Sequence, residues 1–251
     1  RRLAASGHRP AIVSRGYGRA RGDENDEFRV LAENLPDVPH VTGADRLAAA
    51  RQARERFAAD VIVLDDAFSH RRIARDLDIV TIDATCPFGY GYLLPRGLLR
   101  EPPSALGRAD LVVVTRADLV SDAEREALLA EIRSLAPDAG LVTARHEVTG
   151  LVDVRSGEPK DVATIKTKKA YVFCAIGNPL AFERTAAGVC REIVGSLAFD
   201  DHHVFRADDL ARVEHLARQS GADCLLVTQK DRVKLHRTGY NWNAPVYSVE
   251  V

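Results

Sequence analysis

The sequence predicts an α/β fold in two parts: a parallel-sheet domain followed by a second, smaller α/β domain. Three observations predict it. Short apolar runs alternate with helical patterns along the chain. Several runs are apolar at every position, as strands covered on both faces are. A polar stretch with Gly turns and a Lys cluster, residues 148–168, separates two such series. With 251 residues, 46% of them hydrophobic, each part is long enough to bury a core. The expected boundaries are 1–147, a short β linker over 148–168 with room for a small hairpin, and 169–251.

The elements follow in order. Pro10–Ser14 is a β-branched run and reads as a strand. Residues 44–59 place apolar side chains at helical spacing with arginines opposite. Val61–Leu64 is a strand ending in Asp65-Asp66. Residues 78–82 form another, followed by a loop rich in Gly and Pro. Leu111–Thr115 is a strand, and Asp122–Leu135 a helix opened by the capping signal Ser121-x-x-Glu124. Residues 141–144 close the series. The second series predicts strands over 170–175, 193–199, 224–227 and 246–249, with helices over 180–188 and 208–219.

Composition excludes some classes. A net charge of −1 argues against a surface coated for nucleic acid. The longest apolar runs are strand-sized, short of the ~20 residues that span a bilayer. Cys86, Cys174, Cys190 and Cys224 show no C-x-x-C spacing, so buried free thiols in a reducing compartment are expected. There is no Met, and the chain opens mid-pattern with Arg1-Arg2-Leu3-Ala4-Ala5, which leads us to expect a lost N-terminal segment.

In open α/β sheets, ligands bind beyond the carboxyl ends of the strands. Ser14-Arg15-Gly16-Tyr17-Gly18, with Arg19 and Arg21, either wraps an anion or is a plain turn. Asp65-Asp66, closing an apolar run, has the Walker-B pattern that holds Mg²⁺, or else the two carboxylates splay apart. Leu93 to Pro102 places leucines beside Arg and Glu, as a lipid- or substrate-facing cleft or a packed loop. Thr115-Arg116-Ala117-Asp118 is like a guanine-reading motif with Arg in place of Lys; a turn cap is the other reading. Asn178-Pro179 is ordinary helix-entry chemistry. Asp200-Asp201-His202-His203 pairs carboxylates with imidazoles, which suits a catalytic or orienting role. In Thr228-Gln229-Lys230-Asp231-x-x-Lys234, Lys230 either reaches an anion or is solvated.

The order of these motifs is more specific than any one of them. Ser-Arg-Gly-Tyr-Gly, Gly-Asp-Glu, Asp-Asp-x-Phe-x-His, Leu-Leu-Pro-x-Gly-x-Leu, Ile-Gly-Asn-Pro, Asp-His-His and Thr-x-Lys-Asp-x-x-Lys follow one another from Arg9 to Leu235. This series resembles the lipid A disaccharide 4′-kinase family. The resemblance implies a P-loop-kinase-like domain with a smaller α/β domain. It implies transfer of the ATP γ-phosphate to the 4′-hydroxyl of an acylated glucosamine disaccharide, at the cytoplasmic face of the bacterial inner membrane. ATP and Mg²⁺ are the implied cofactors, the acylated lipid is the implied partner, and nucleic acid is not one.

Carried over by motif, Asp23 is implied as general base, with His202 raising its basicity. Asp65, Asp66 and Glu101 are implied at Mg²⁺, and Asp65, Asp66, Arg15, Gly16 and Gly18 at the nucleotide. Tyr17, Glu24, His70 and Arg100 are implied at the substrate. A pair drawn from two domains implies catalysis coupled to closure. The chain departs from the family pattern at Asn25, Ala67, Ser69 and Gln229, and Ala67 resists the left-handed backbone that Gly allows. The family's phosphate loop and the membrane-associated helix before it have no counterpart in these letters. Kinase activity of the 251 residues alone is therefore expected to be negligible. Two other readings use the same motifs: a non-catalytic nucleotide-binding module or pseudoenzyme, and a GTP-binding protein of metallochaperone type.

Overall fold

The computed structural model describes residues 1–16 and 26–251. They form two compact units, Arg1–Arg145 and His146–Val251. The first contains α1 (Arg2–Ala5), β1 (Pro10–Ser14), α2 (Asp26–Asn34), β2 (His40–Thr42), α3 (Arg46–Phe57), β3 (Val61–Leu64), β4 (Ile79–Asp83), β5 (Leu111–Thr115), α4 (Asp122–Leu135) and β6 (Gly140–Thr143). Its strands form two three-stranded sheets, β2-β1-β3 and β4-β5-β6, and every pairing is parallel. A single sheet was the sequence expectation.

Each sheet is built around its apolar centre. Ala11 and Val13 of β1 are fully buried against Ala49 and Ala53 of α3, whose small side chains let the helix approach closely. Asp45 starts α3 by accepting from the Leu47 and Ala48 amides, both at 3.0 Å. Val112 and Val114 of β5 are sealed by Leu128, Leu129 and Ile132 of α4. The predicted capping box is present, with Ser121 and Glu124 bonding reciprocally. The outer strands differ. β3 pairs only with β1 and β4 only with β5, and they expose Val63 and Ile79. Among the described residues no strand covers these two edges.

The second unit contains β7 (Gly150–Asp153), β8 (Pro159–Lys160), β9 (Lys169–Cys174), α5 (Pro179–Ala187), β10 (Glu192–Ala198), α6 (Ala207–Gln219), β11 (Cys224–Thr228), α7 (Gln229–Leu235) and β12 (Val246–Glu250). They make one sheet in the order β10-β9-β11-β12-β7-β8. β9 shows why its sequence is apolar throughout. Tyr171 and Phe173 face Leu210 and Val213 of α6, while Val172 and Cys174 face Phe182 and Ala186 of α5. Residues 148–168 do contain a hairpin, β7–β8, but it is no separate linker. β7 adds antiparallel to β12 and buries Leu151, so the hairpin is an edge of the second sheet.

Cys174 and Cys224 are buried free thiols, pushed up to about 12 and about 11 mainly by desolvation. Thiolate chemistry is closed to them. Among the described residues, no helix is long and apolar enough to cross a membrane.

Candidate active site

In the first unit the charged residues gather at the carboxyl ends of β1, β2 and β3. The chain leaves β1 through Ser14, Arg15 and Gly16, and Gly16 has φ +71°. Ser14 Oγ meets His40 Nε2 at 2.8 Å, and the His40 ring stacks on Phe28. Asp65 and Asp66 follow β3. Asp66, at φ +49°, takes the left-handed turn. The left-handed residue of this turn is thus Asp66, a residue type that tolerates it better, and not Ala67. Ala67 itself is buried and accepts from the His70 amide at 2.8 Å.

The two carboxylates are treated differently. Arg100 Nη1 donates to both Asp66 oxygens, at 2.7 and 2.6 Å. The Asp65 carboxylate is exposed, and among the described residues none donates a hydrogen bond to it. Its backbone is held instead. Arg46, the first residue of α3, is buried and donates to the carbonyls of Asp65 at 3.1 Å and Gly43 at 3.3 Å. Burial lowers the Arg46 pKa, while Asp65 and Asp66 oppose that shift and Arg15 adds to it. Glu101 pairs with Arg108 at 3.0 Å, and Arg108 lies over the Phe68 ring. The Arg108 hydrogen bond, helped by Ser69 and Arg71, keeps the Glu101 carboxyl below its ordinary range. Since its partner Arg108 lies over Phe68, the structure brings Glu101 to the Asp65–His70 turn. Arg75 clamps the far end of that turn through Asp78 and the His70 carbonyl.

Arg46, Arg75 and Arg108 are absent from the sequence-derived site. The one signal for Arg46 was its place directly after the cap Asp45, which turns it to the strand ends rather than the polar face.

Mg²⁺ takes oxygen ligands and needs only one or two carboxylates beside water and phosphate. The open Asp65 carboxylate fits that, with Asp66 and Glu101 less available behind their arginines. No described group of three or more His, Cys, Asp or Glu forms a cage. Tyr17, Gly18, Asp23 and Glu24 lie outside the described residues.

Thr115-Arg116-Ala117-Asp118 sits beyond β5. Arg116 pairs with Asp83 of β4 at 2.5 Å, and Thr115 Oγ1 donates to the Ile82 carbonyl. Asp118 lines an open cavity of about 400 Å³ with Arg125, Thr143 and Arg145.

The second unit separates two adjacent histidines. His203 stacks on Phe199 and meets Asp209 at 3.0 Å, so it is a packing residue. His202, at φ +63°, is exposed, and its amide donates to Asp201 Oδ1 at 2.9 Å. Lys230 reaches the same Oδ1 at 3.4 Å. The anion expected for Lys230 is therefore, in this structure, Asp201. The rest of that motif is sealed inside. Asp231 is fully buried and accepts from the Ala175 amide, Thr228 Oγ1 and Lys234 Nζ.

A family model described as tetraacyldisaccharide-1-P 4′-kinase, LpxK, matches residues 1–251. The chain belongs to this family. It is 41% identical over 253 residues to the tetraacyldisaccharide 4′-kinase of Anaeromyxobacter dehalogenans strain 2CP-C, covering 93% of this chain and 66% of that protein. It is 36% identical over 261 residues to that of Syntrophus aciditrophicus, covering 94% and 69%. The chain thus spans about two thirds of the length of these curated relatives. A crystal structure of LpxK from Aquifex aeolicus, an "apo" form in complex with ATP, superposes with a TM-score of 0.67 at 24% identity. That match covers 98% of this chain and 74% of the other. It establishes the shared LpxK fold.

Proposed function

We propose that the protein phosphorylates the 4′-hydroxyl of a tetraacylated glucosamine disaccharide 1-phosphate, using ATP, as a step of lipid A assembly. The observation that carries this reading is the family match over the whole chain. In this reading Asp23 is the general base for the sugar hydroxyl, and His202 raises its basicity. A sugar hydroxyl is a poor nucleophile, so a positioned base contributes about 10²–10⁴-fold. The exposed, left-handed setting of His202 supports a working role, because His203 alone satisfies the local packing.

Asp65, Asp66 and Glu101 would hold Mg²⁺, which when bound neutralises charge on the transferring phosphoryl group. The protein's own part is positioning. Arg46 fixes the Asp65 backbone and Arg100 orients Asp66. Arg15, Gly16 and Gly18 would line the phosphates, and Tyr17, Glu24, His70 and Arg100 the disaccharide. A phosphate loop belongs in this reading too, though no such motif stands in these 251 residues. The reading places the enzyme at the cytoplasmic face of the inner membrane, held by a segment ahead of that loop.

The test is ATP-dependent phosphorylation of the tetraacyldisaccharide 1-phosphate by the full-length protein. His202→Ala is expected to lower kcat by about 10²-fold or more, with KM little changed. The 251-residue chain alone is expected to be inactive. An unchanged kcat for His202→Ala overturns the pairing; robust activity of the 251 residues alone overturns the need for the loop.

A further inference from the structure

Exposed apolar side chains are concentrated in one loop. Among the described residues fifteen large hydrophobic side chains are exposed, and five lie within residues 90–98: Tyr90, Tyr92, Leu93, Leu94 and Leu98. Tyr90 is 75% exposed, Leu94 59% and Leu98 61%. Scattered exposed leucines need no explanation, but a cluster does.

The loop's backbone is not loose. Leu94 donates to the Leu99 carbonyl, Leu99 to Tyr92, Gly97 to Leu93 and Leu98 to Gly89, at 2.9 to 3.2 Å. Gly89, Tyr90 and Gly91 are three successive left-handed residues. Gly97 is buried so tightly that a Cβ there would collide with the Tyr92 carbonyl. Behind the loop, Phe88 packs on the core of the β4-β5-β6 sheet. The tip is therefore a fixed platform that holds its leucines outward, at a cost in backbone conformation at Tyr90.

Charge narrows what covers it. From residue 84 to residue 100 the chain has no carboxylate and two arginines, of which Arg100 is taken by Asp66 and Arg96 is left to the tip. Arg96 stacks over the Tyr92 ring at 3.6 Å, which keeps its cation beside the apolar tip. Leucines to insert, tyrosine rings at their flank and the Arg96 cation beside them suit the boundary between lipid headgroups and acyl chains. A protein partner fits less well, because a stable interface takes about 20–30 residues from each side.

We propose that the loop spanning residues 89–99 docks on an anionic lipid bilayer. Leu94 and Leu98 enter the acyl boundary, the tyrosines lie at headgroup level and Arg96 meets lipid phosphate. This docking does not depend on the phosphoryl-transfer reading, since it needs no nucleotide and no turnover.

The test uses full-length protein and vesicles of phosphatidylethanolamine with phosphatidylglycerol, against vesicles of phosphatidylcholine. Leu94→Ser with Leu98→Ser is expected to lower the partition coefficient on phosphatidylglycerol vesicles by about tenfold. Arg96→Glu is expected to lower it several-fold, and phosphatidylcholine to bind wild type more weakly. A second readout covers binding dominated by another segment: the tryptophan emission of Tyr90→Trp is expected to be quenched by brominated lipids in the vesicles. Unchanged partitioning together with no quenching overturns the proposal. So does loss of a dimer in the leucine variant with vesicle binding intact, which assigns the loop to a second copy. A raised KM in detergent with unchanged partitioning and no quenching overturns it as well, assigning the loop to the substrate's acyl chains.

Discussion

The turn after β3 and the turn after β11 use similar letters to opposite ends. Both place acidic and basic side chains just beyond a buried parallel strand. After β3, Asp65 and Asp66 stand in the open: among the described residues none donates a hydrogen bond to the Asp65 carboxylate, and the exposed Arg100 Nη1 bonds both oxygens of Asp66. After β11, Asp231 and Lys234 are sealed, and their bonds end on Ala175 at the close of β9. The first arrangement leaves charge for a ligand. The second spends it on holding α7 to the sheet. Burial, rather than residue type, separates a binding site from a structural lock.

The sharpest way to break this comparison is Asp231→Ala. It leaves Lys234 buried beside Phe205 without its carboxylate, and the Ala175 amide without an acceptor. Removing one member of a buried pair costs about 3–5 kcal/mol. Thermal unfolding of the second unit should show a large drop. Asp65→Ala should cost under about 1 kcal/mol, because an exposed carboxylate has little to lose. Equal losses in the two variants would erase the distinction.

The same contrast explains what was legible beforehand. Strands β1, β5, β9 and β11 could be read because both faces are covered, which leaves continuous apolar runs. The acidic turn after β3 could be read because paired carboxylates after a strand are rare without a purpose. The lock after β11 could not be read: the sequence drew attention to Lys230, which reaches Asp201, and not to Asp231 and Lys234. Its real members are buried by Ala175 and Phe205, distant in sequence, and no local pattern reports that. His202 and His203 look alike in sequence; Phe199 and Phe205 decide which one packs. Arg46 was hidden among the arginines of a helical pattern. The split of the first sheet was not legible either, because strand spacing does not say which strands pair.

Arg46 sharpens the comparison from within the first unit, where it is the nearest counterpart of Lys234. Arg46→Met is expected to destabilise that unit by about 2 kcal/mol, since two carbonyls lose a charged donor. Arg46→Lys should recover only part of this, because a single ammonium nitrogen on a shorter stem replaces the two separate guanidinium nitrogens that reach Gly43 and Asp65. Denaturant midpoints measure both. Full recovery in the lysine variant would mean that charge alone is needed.

Acid should act on the second unit through Glu214. Burial raises its pKa, but bonds from Asn243, Tyr240 and the Ala244 amide outweigh burial and leave the carboxyl lowered. Asp209 is lowered as well, first by the Arg206 amide and then by His203. A carboxyl lowered on folding stabilises above its unfolded value, about 4.3 for Glu. That contribution is lost as pH falls through the folded value. Stability of the second unit should therefore decline below about pH 5, and Glu214→Gln should flatten the decline. An unchanged acid limb in that variant would place the linkage elsewhere.

The smallest expected stability effect is at Arg100, and it separates holding a fold from holding a site. Its pair with Asp66 has short distances, 2.7 and 2.6 Å, yet both side chains are more than half exposed. Exposed pairs contribute about 0–1 kcal/mol whatever their geometry. Arg100→Ala should therefore leave the unfolding midpoint nearly unmoved. It frees Asp66 to reorient beside Asp65, so the site should suffer where the fold does not. On the proposed chemistry, kcat/KM falls by about tenfold or more, and the Mg²⁺ concentration for half-maximal rate shifts. A midpoint shift of several kcal/mol, with activity per folded molecule intact, would make the Asp66–Arg100 pair a lock like Asp231–Lys234, and the contrast between the two turns would fail there.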